Sequence, residues 1–152
     1  MFFGGGVLMR VGRWSFNLGN PANSEQIIVN HYSDLESKAK ISDEATQQFY
    51  QYLNQGNCQK IYDQSTELFQ SSVSESVWTN TCSQIKIQNG TVEDSEQFDW
   101  WGHPAKEGGS YILSQRNTKF SESTVQEDFV WLVEGGESKL LSYRTGAVTV
   151  EE

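Results

Sequence analysis

The run GSYILSQRNTKFSESTVQEDFVWLVEGGESKLLSYR, from Gly109 to Arg144, leaves the chain few ways to fold. It reads as three consecutive antiparallel strands. No proline or internal glycine interrupts Ser110 to Phe120, and successive side chains of a strand point to opposite faces. Ile112, Ser114, Arg116, Thr118 and Phe120 therefore share one face, and Tyr111, Leu113, Gln115, Asn117 and Lys119 the other. Neither face is strongly apolar, which predicts a strand half exposed along part of its length. The next run is clearer. Val125, Glu127, Phe129, Trp131 and Val133 share one face, with Gln126, Asp128, Val130 and Leu132 opposite. Aromatic and β-branched residues dominate it, as a pleated, half-buried surface prefers. Glu134-Gly135-Gly136-Glu137 turns the chain, since paired glycines reach positive φ without a Cβ clash. Lys139, Leu141 and Tyr143 then alternate against Leu140, Ser142 and Arg144.

Upstream the period changes. Ser42 to Asn54 predicts a helix: Ser42 caps it, Asp43 and Glu44 suit its N-terminal dipole, and Ala45, Phe49, Tyr52 and Leu53 form one apolar face. Gly56 stops it, and Asn57 caps a second helix in which Ile61, Tyr62, Leu68 and Phe69 face inward. A third begins at Ser72 or Ser74 and carries Val73, Val77, Trp78, Cys82 and Ile85 at helical spacing. Asn89-Gly90 ends it as a turn; Asn89-Gly90-Thr91 also fits a glycosylation sequon, but turn chemistry explains it better. Thr91 to Trp101 predicts one more strand, and Asp99 to Pro104 its end entering a loop. Helices followed by strands indicate an α+β fold, with helices packed on one face of an antiparallel sheet of about four strands.

The first 40 residues stand apart. We read 1–40 as an N-terminal arm and linker, with Pro21 to Lys40 a loosely packed lead-in holding at most one short helix, and 41–152 as the domain. Residues 1–24 hold Arg10, Arg13 and no acid, so the rest carries the net −9 and more: nine Lys/Arg against twenty Asp/Glu. Such an acidic body argues against nucleic acid, whose binding rests on Lys/Arg neutralising phosphates. The arm's opening apolar stretch is shorter than the roughly 20 residues of a spanning helix and lacks signal-peptide order. It fits the end of a membrane anchor with Arg10, Arg13 and Trp14 at the interface, or a docking arm led by Phe2 and Phe3, or a plain terminus.

The chain resembles the nuclear-transport-factor-2-like, or cystatin-like, superfamily, and within it small bacterial domains. YQYLNQGNCQKIYD, the SVSESVW helix start, the G-x-Y-x-L strand start at Gly109 to Leu113, the T-K-F ending at Phe120 and FVWLVEGGESKLLSY carry the resemblance over roughly 42–144. It implies a curved sheet wrapped around helices as a cone. It does not choose a function, because that fold serves enzymes, transport factors and binding modules alike. Many of the closer relatives are exported or membrane-tethered, which agrees with an anchor remnant; the long N-terminal lead-in departs from the pattern.

Enzymes of the cone fold place a carboxylate with a tyrosine or protonated acid inside the cone. Here Glu127 is the acid that aromatics can bury, with Tyr111, Arg116, Trp131 and Tyr143 as companions lining a ligand; an ordinary cross-strand pair with Arg116 or Lys139 is the plainer role for Glu127. His103, near Asp99 and two tryptophans, fits a general base on paper and a surface loop more simply; His31 is the other histidine. Cys58 and Cys82, the two cysteines, permit either a disulfide or two buried free thiols. Neither a CxxC zinc pattern nor a phosphate-cradling loop appears, so no metal or cofactor is expected. The expected function is a non-enzymatic accessory or binding module. It would be docked with a protein partner or a second copy on a larger membrane-associated assembly, exported to a periplasmic or lumenal side rather than cytoplasmic. The alternative is a small-ligand carrier or enzyme using the cone interior.

Overall fold

The computed structural model describes residues 9–10, 21–106 and 108–146, with side chains from position 34 onward. Helices α1 (Pro21–Gln55), α2 (Cys58–Asp63), α3 (Glu67–Ser72) and α4 (Glu75–Asn89) precede four long strands. These are β2 (Val92–Pro104), β3 (Ser110–Phe120), β4 (Thr124–Glu134) and β5 (Glu137–Thr145). A two-residue strand, β1 (Met9–Arg10), pairs with Trp101 and Gly102 on the outer edge of β2. All neighbours run antiparallel in the order β1-β2-β3-β4-β5, an unclosed, curved sheet with the helices on one face. The architecture is α+β and compatible with a nuclear-transport-factor-2-like fold.

Helix α1 is far longer than its sequence signals suggest. It starts at Pro21, not Ser42. Proline is tolerated in a first turn, where its missing N–H has no intrahelical partner to lose. Ser42 lies mid-helix and buried, its hydroxyl donating to the Ala39 carbonyl at 2.8 Å, a back-bond and not a cap. The expected boundary at 40/41 falls inside this helix, and Leu35 before it is fully buried. Leu35 sits over Gly102 of β2, where a Cβ would stand 2.8 Å from its Cδ2. Glycine at 102 thus lets α1 approach the sheet.

The region expected as one second helix is two. Ser65 and Thr66 break it, and Thr66 caps α3 by accepting from the Phe69 N–H at 3.0 Å. Phe69 is buried, but Leu68 faces solvent. Ser74, not Ser72, caps α4, accepting from the Val77 N–H. Trp78, Cys82 and Ile85 then face the core while Val77 stays exposed. Asn89 is buried, its side chain bound to the Ile85 carbonyl and to Ser123, so it is a turn residue closed to a glycan. Cys58 and Cys82 form a disulfide between α2 and α4, and the Trp78 indole N–H donates to the Cys58 carbonyl beside it.

Strand β2 continues to Pro104, past the expected loop, with two irregularities in its pairing to β3. Gly135 and Gly136 both take positive φ in the β4–β5 hairpin. At Gly109 (φ +79°) a Cβ would lie 2.5 Å from the Val133 carbonyl oxygen, which belongs to the ladder and cannot yield. Gly109→Ala should therefore cost about 2 kcal/mol, combining left-handed backbone strain with that clash. A urea midpoint unchanged from the parent would contradict this.

Candidate functional site

The inward face of the sheet holds a polar network under α1. Glu127 is completely buried. Its Oε1 accepts from the Tyr50 hydroxyl at 2.6 Å and from Thr118 Oγ1 at 2.7 Å. Its Oε2 accepts from the Tyr143 hydroxyl at 2.5 Å. Ser95 Oγ lies 3.0 Å from the Tyr50 hydroxyl and 2.9 Å from Thr118 Oγ1. Arg116, also buried, donates through Nε to Ser95 Oγ at 2.7 Å and pairs through Nη1 with Asp43 at 2.9 Å. Three hydroxyl protons point at one carboxylate, and one guanidinium closes the chain of contacts.

Each member arrives by simple geometry. Arg116 and Glu127 are cross-strand partners, as are Thr118 and Val125, so β3 and β4 set these side chains on one surface. Thr46, Tyr50 and Leu53 stand at helical spacing on the buried side of α1. Tyr143 arrives through an irregularity. Phe129 pairs with Tyr143 but Trp131 with Leu140, so a bulge between Val130 and Trp131 sets Tyr143 and Leu140 on the same face. Strict alternation had put them on opposite faces.

Burial is the largest influence on Glu127 and raises its carboxyl above the ordinary range. The Tyr143, Tyr50 and Thr118 hydroxyls and the Arg116 charge pull the other way without overcoming it. Burial, and then the Glu127 charge, push both the Tyr50 and Tyr143 hydroxyls up. Phe49 and Phe129 close over the site, each ring centroid within 5.1 Å of Tyr143. None of the three clefts described for this molecule is lined by Glu127, Tyr50 or Tyr143. The arrangement fixes the sheet to α1.

The five residues expected to line one ligand site are not together. Arg116, Glu127 and Tyr143 belong to the closed network. Tyr111 is on the outer face, between His103 and Leu132. Trp131 faces inward and stacks on Phe129 (centroids 6.0 Å, planes 7° apart), but reaches a different place, the floor of a cleft beside the β4–β5 hairpin. The expected partner Lys139 is exposed and pairs with Leu132 on the outer face, away from Glu127. His103 and Asp99 are four residues apart on one strand, a span of about 13 Å, so no oriented base forms. The His103 Nδ1 lies 2.8 Å from the Pro104 carbonyl oxygen. Phe2, Phe3, Arg13 and Trp14 lie outside the described residues, as does the His31 side chain; of residues 1–20 only the backbone of Met9 and Arg10 is placed.

Sequence reading missed Tyr50, Thr118, Ser95 and Asp43. The signal for Tyr50 was present, a Thr46-Tyr50 pair one turn apart beside Phe49, but the apolar stripe through Tyr52 hid it. Among the described residues, no cluster of three His, Cys, Asp or Glu side chains is placed to hold a metal, and no helix is long and apolar enough to cross a membrane. No protein-family model matches the chain, and no curated protein matches it at a significant level.

Proposed function

We propose that this chain is a non-enzymatic accessory or binding module of the nuclear-transport-factor-2-like superfamily, docked on a larger membrane-associated assembly. One observation carries the reading: the one buried acid among the described residues has both oxygens occupied and lies under aromatic rings. A general acid or base must come within hydrogen-bond reach of its substrate, and Glu127 does not. The polar interior that would serve catalysis in a cone-shaped enzyme serves packing here.

The surfaces support docking. Alternation places the half-buried Trp101 and Leu113 in one row on the outer face of the sheet, beside the buried Val130, and the half-buried His103, Tyr111 and Leu132 in the next. Apolar and aromatic side chains on an outward sheet face suit a protein partner. Met9 and Arg10 of the arm pair with the edge of β2. The Cys58–Cys82 bond supports an exported setting, because disulfides persist in oxidising compartments.

The test is purification of the native protein from mild-detergent membranes, with and without residues 1–20. A stoichiometric partner, present with the whole chain and lost on deletion, is expected. A protein that fractionates alone and unchanged in both forms overturns the reading.

A further inference from the structure

The floor of one cleft holds two polar atoms that find no partner among the described residues. The Trp131 indole N–H and Ser138 Oγ are both buried and both unpaired. Trp131 is only 4% exposed. Both line a narrow cavity of about 40 Å³ walled by Phe49, Ile61 and Leu140. Natural proteins rarely leave such groups without water or a ligand. The cavity opens outward: Ala45, Gln48, Gln64 and Ser138 also line a cleft of about 490 Å³ between α1, the end of α2 and the β4–β5 hairpin. That is within the range of about 300–1,000 Å³ in which proteins hold small ligands.

We propose that this cleft binds a short basic peptide segment. A backbone carbonyl seats at the floor and accepts from the Trp131 indole N–H and the Ser138 hydroxyl. A lysine or arginine of the segment faces the rim. An indole N–H only donates, so the group at the floor is an acceptor. The floor has room for a few waters or one small group, since a water needs about 10–15 Å³ of such space. The rim carries Glu44, Asp63 and Glu137 against Lys139, so carboxylates and phosphates are repelled and the acceptor is a neutral carbonyl on a cationic molecule. Gln48 and Gln64 flank the path, and each offers both a donor and an acceptor, which matches the alternating N–H and C=O of a peptide backbone.

The test uses the whole chain labelled with ¹⁵N. Trp131→Phe assigns the Trp131 indole resonance and keeps the ring on Phe129. The probe is acetyl-diarginine amide. Spermidine supplies the charge without the carbonyl, and acetylglycinamide the carbonyl without the charge. Saturable movement of the indole resonance is expected with the diarginine probe. Each control should bind about tenfold more weakly, as should the probe to the Glu44→Gln/Glu137→Gln double variant. An indole resonance unmoved at millimolar probe would mean that water alone fills the floor, and would overturn the proposal. Equal binding of acetylglycinamide, or no effect of removing the rim charges, would overturn it as well.

Discussion

Glu127→Ala should lower the stability of this fold by about 4 kcal/mol, while Glu127→Gln costs about 1 kcal/mol or less at neutral pH. The alanine variant leaves a cavity and removes the common acceptor of the Tyr50, Thr118 and Tyr143 hydroxyls. Glutamine keeps an oxygen for Tyr50 and Thr118, and its amide donates to the Tyr143 oxygen. The pH dependence follows from burial, which raises the Glu127 carboxyl in the folded state. A group raised on folding contributes stability that is fully present below its unfolded value, about 4.3 for glutamate, and lost as pH rises through the raised folded value. The glutamine variant lacks this titration and shares every other carboxylate with the parent. Its stability relative to the parent should therefore improve as pH rises from about 4 towards 8. Urea melts of all three proteins across that range read both effects. A glutamine variant as damaged as the alanine one, or one that loses ground with rising pH, would refute the account of the network.

What was legible in the sequence, and what was not, divides along one physical line. Period and turn chemistry were readable, so β3, β4, the Gly135-Gly136 hairpin and the order of helices before strands all came through. Rules that equate polar with exposed failed. Ser114, Arg116 and Thr118 made one face of β3 look half solvated, yet all three are buried and satisfied by Gln97, Ser95, Asp43 and Glu127. The same rule hid the first half of α1, a polar stretch whose Leu35 reaches the core. The bulge in the β4–β5 pairing carries no marker in the residues themselves, and it decides that Tyr143 meets Glu127. Of the candidate site, Glu127, Arg116 and Tyr143 were found, while Tyr50, Thr118, Ser95 and Asp43 were not. Tyr50 and Asp43 come from α1 and Ser95 from β2, elements far from Glu127 in the chain.

Breaking the Cys58–Cys82 bridge is the other change with a large expected effect. The two cysteines lie 24 residues apart, and in the loop-entropy model a closure of that length stabilises by about 3 kcal/mol. For a chain of this size that is a fall of about 10 °C in thermal midpoint. The loss should begin locally. α2 is six residues long and its Asn57 cap makes no side-chain hydrogen bond, so little within the helix holds it. Besides the bridge it is tied by the indole of Trp78 on the Cys58 carbonyl, by Ile61 in the core and by the Tyr62 hydroxyl donating to the Gln70 and Val73 carbonyls. Ile61, Asp63 and Gln64 also form one wall of the cleft beneath which Trp131 lies. Reduction should thus loosen that wall before the sheet opens, and amide exchange should rise in 57–64 while β3 and β4 remain protected. Cys58→Ala/Cys82→Ala should reproduce the reduced protein. Alkylation of two thiols without reductant would show the bridge absent; uniform loss of protection across helices and sheet would show that α2 does not open on its own.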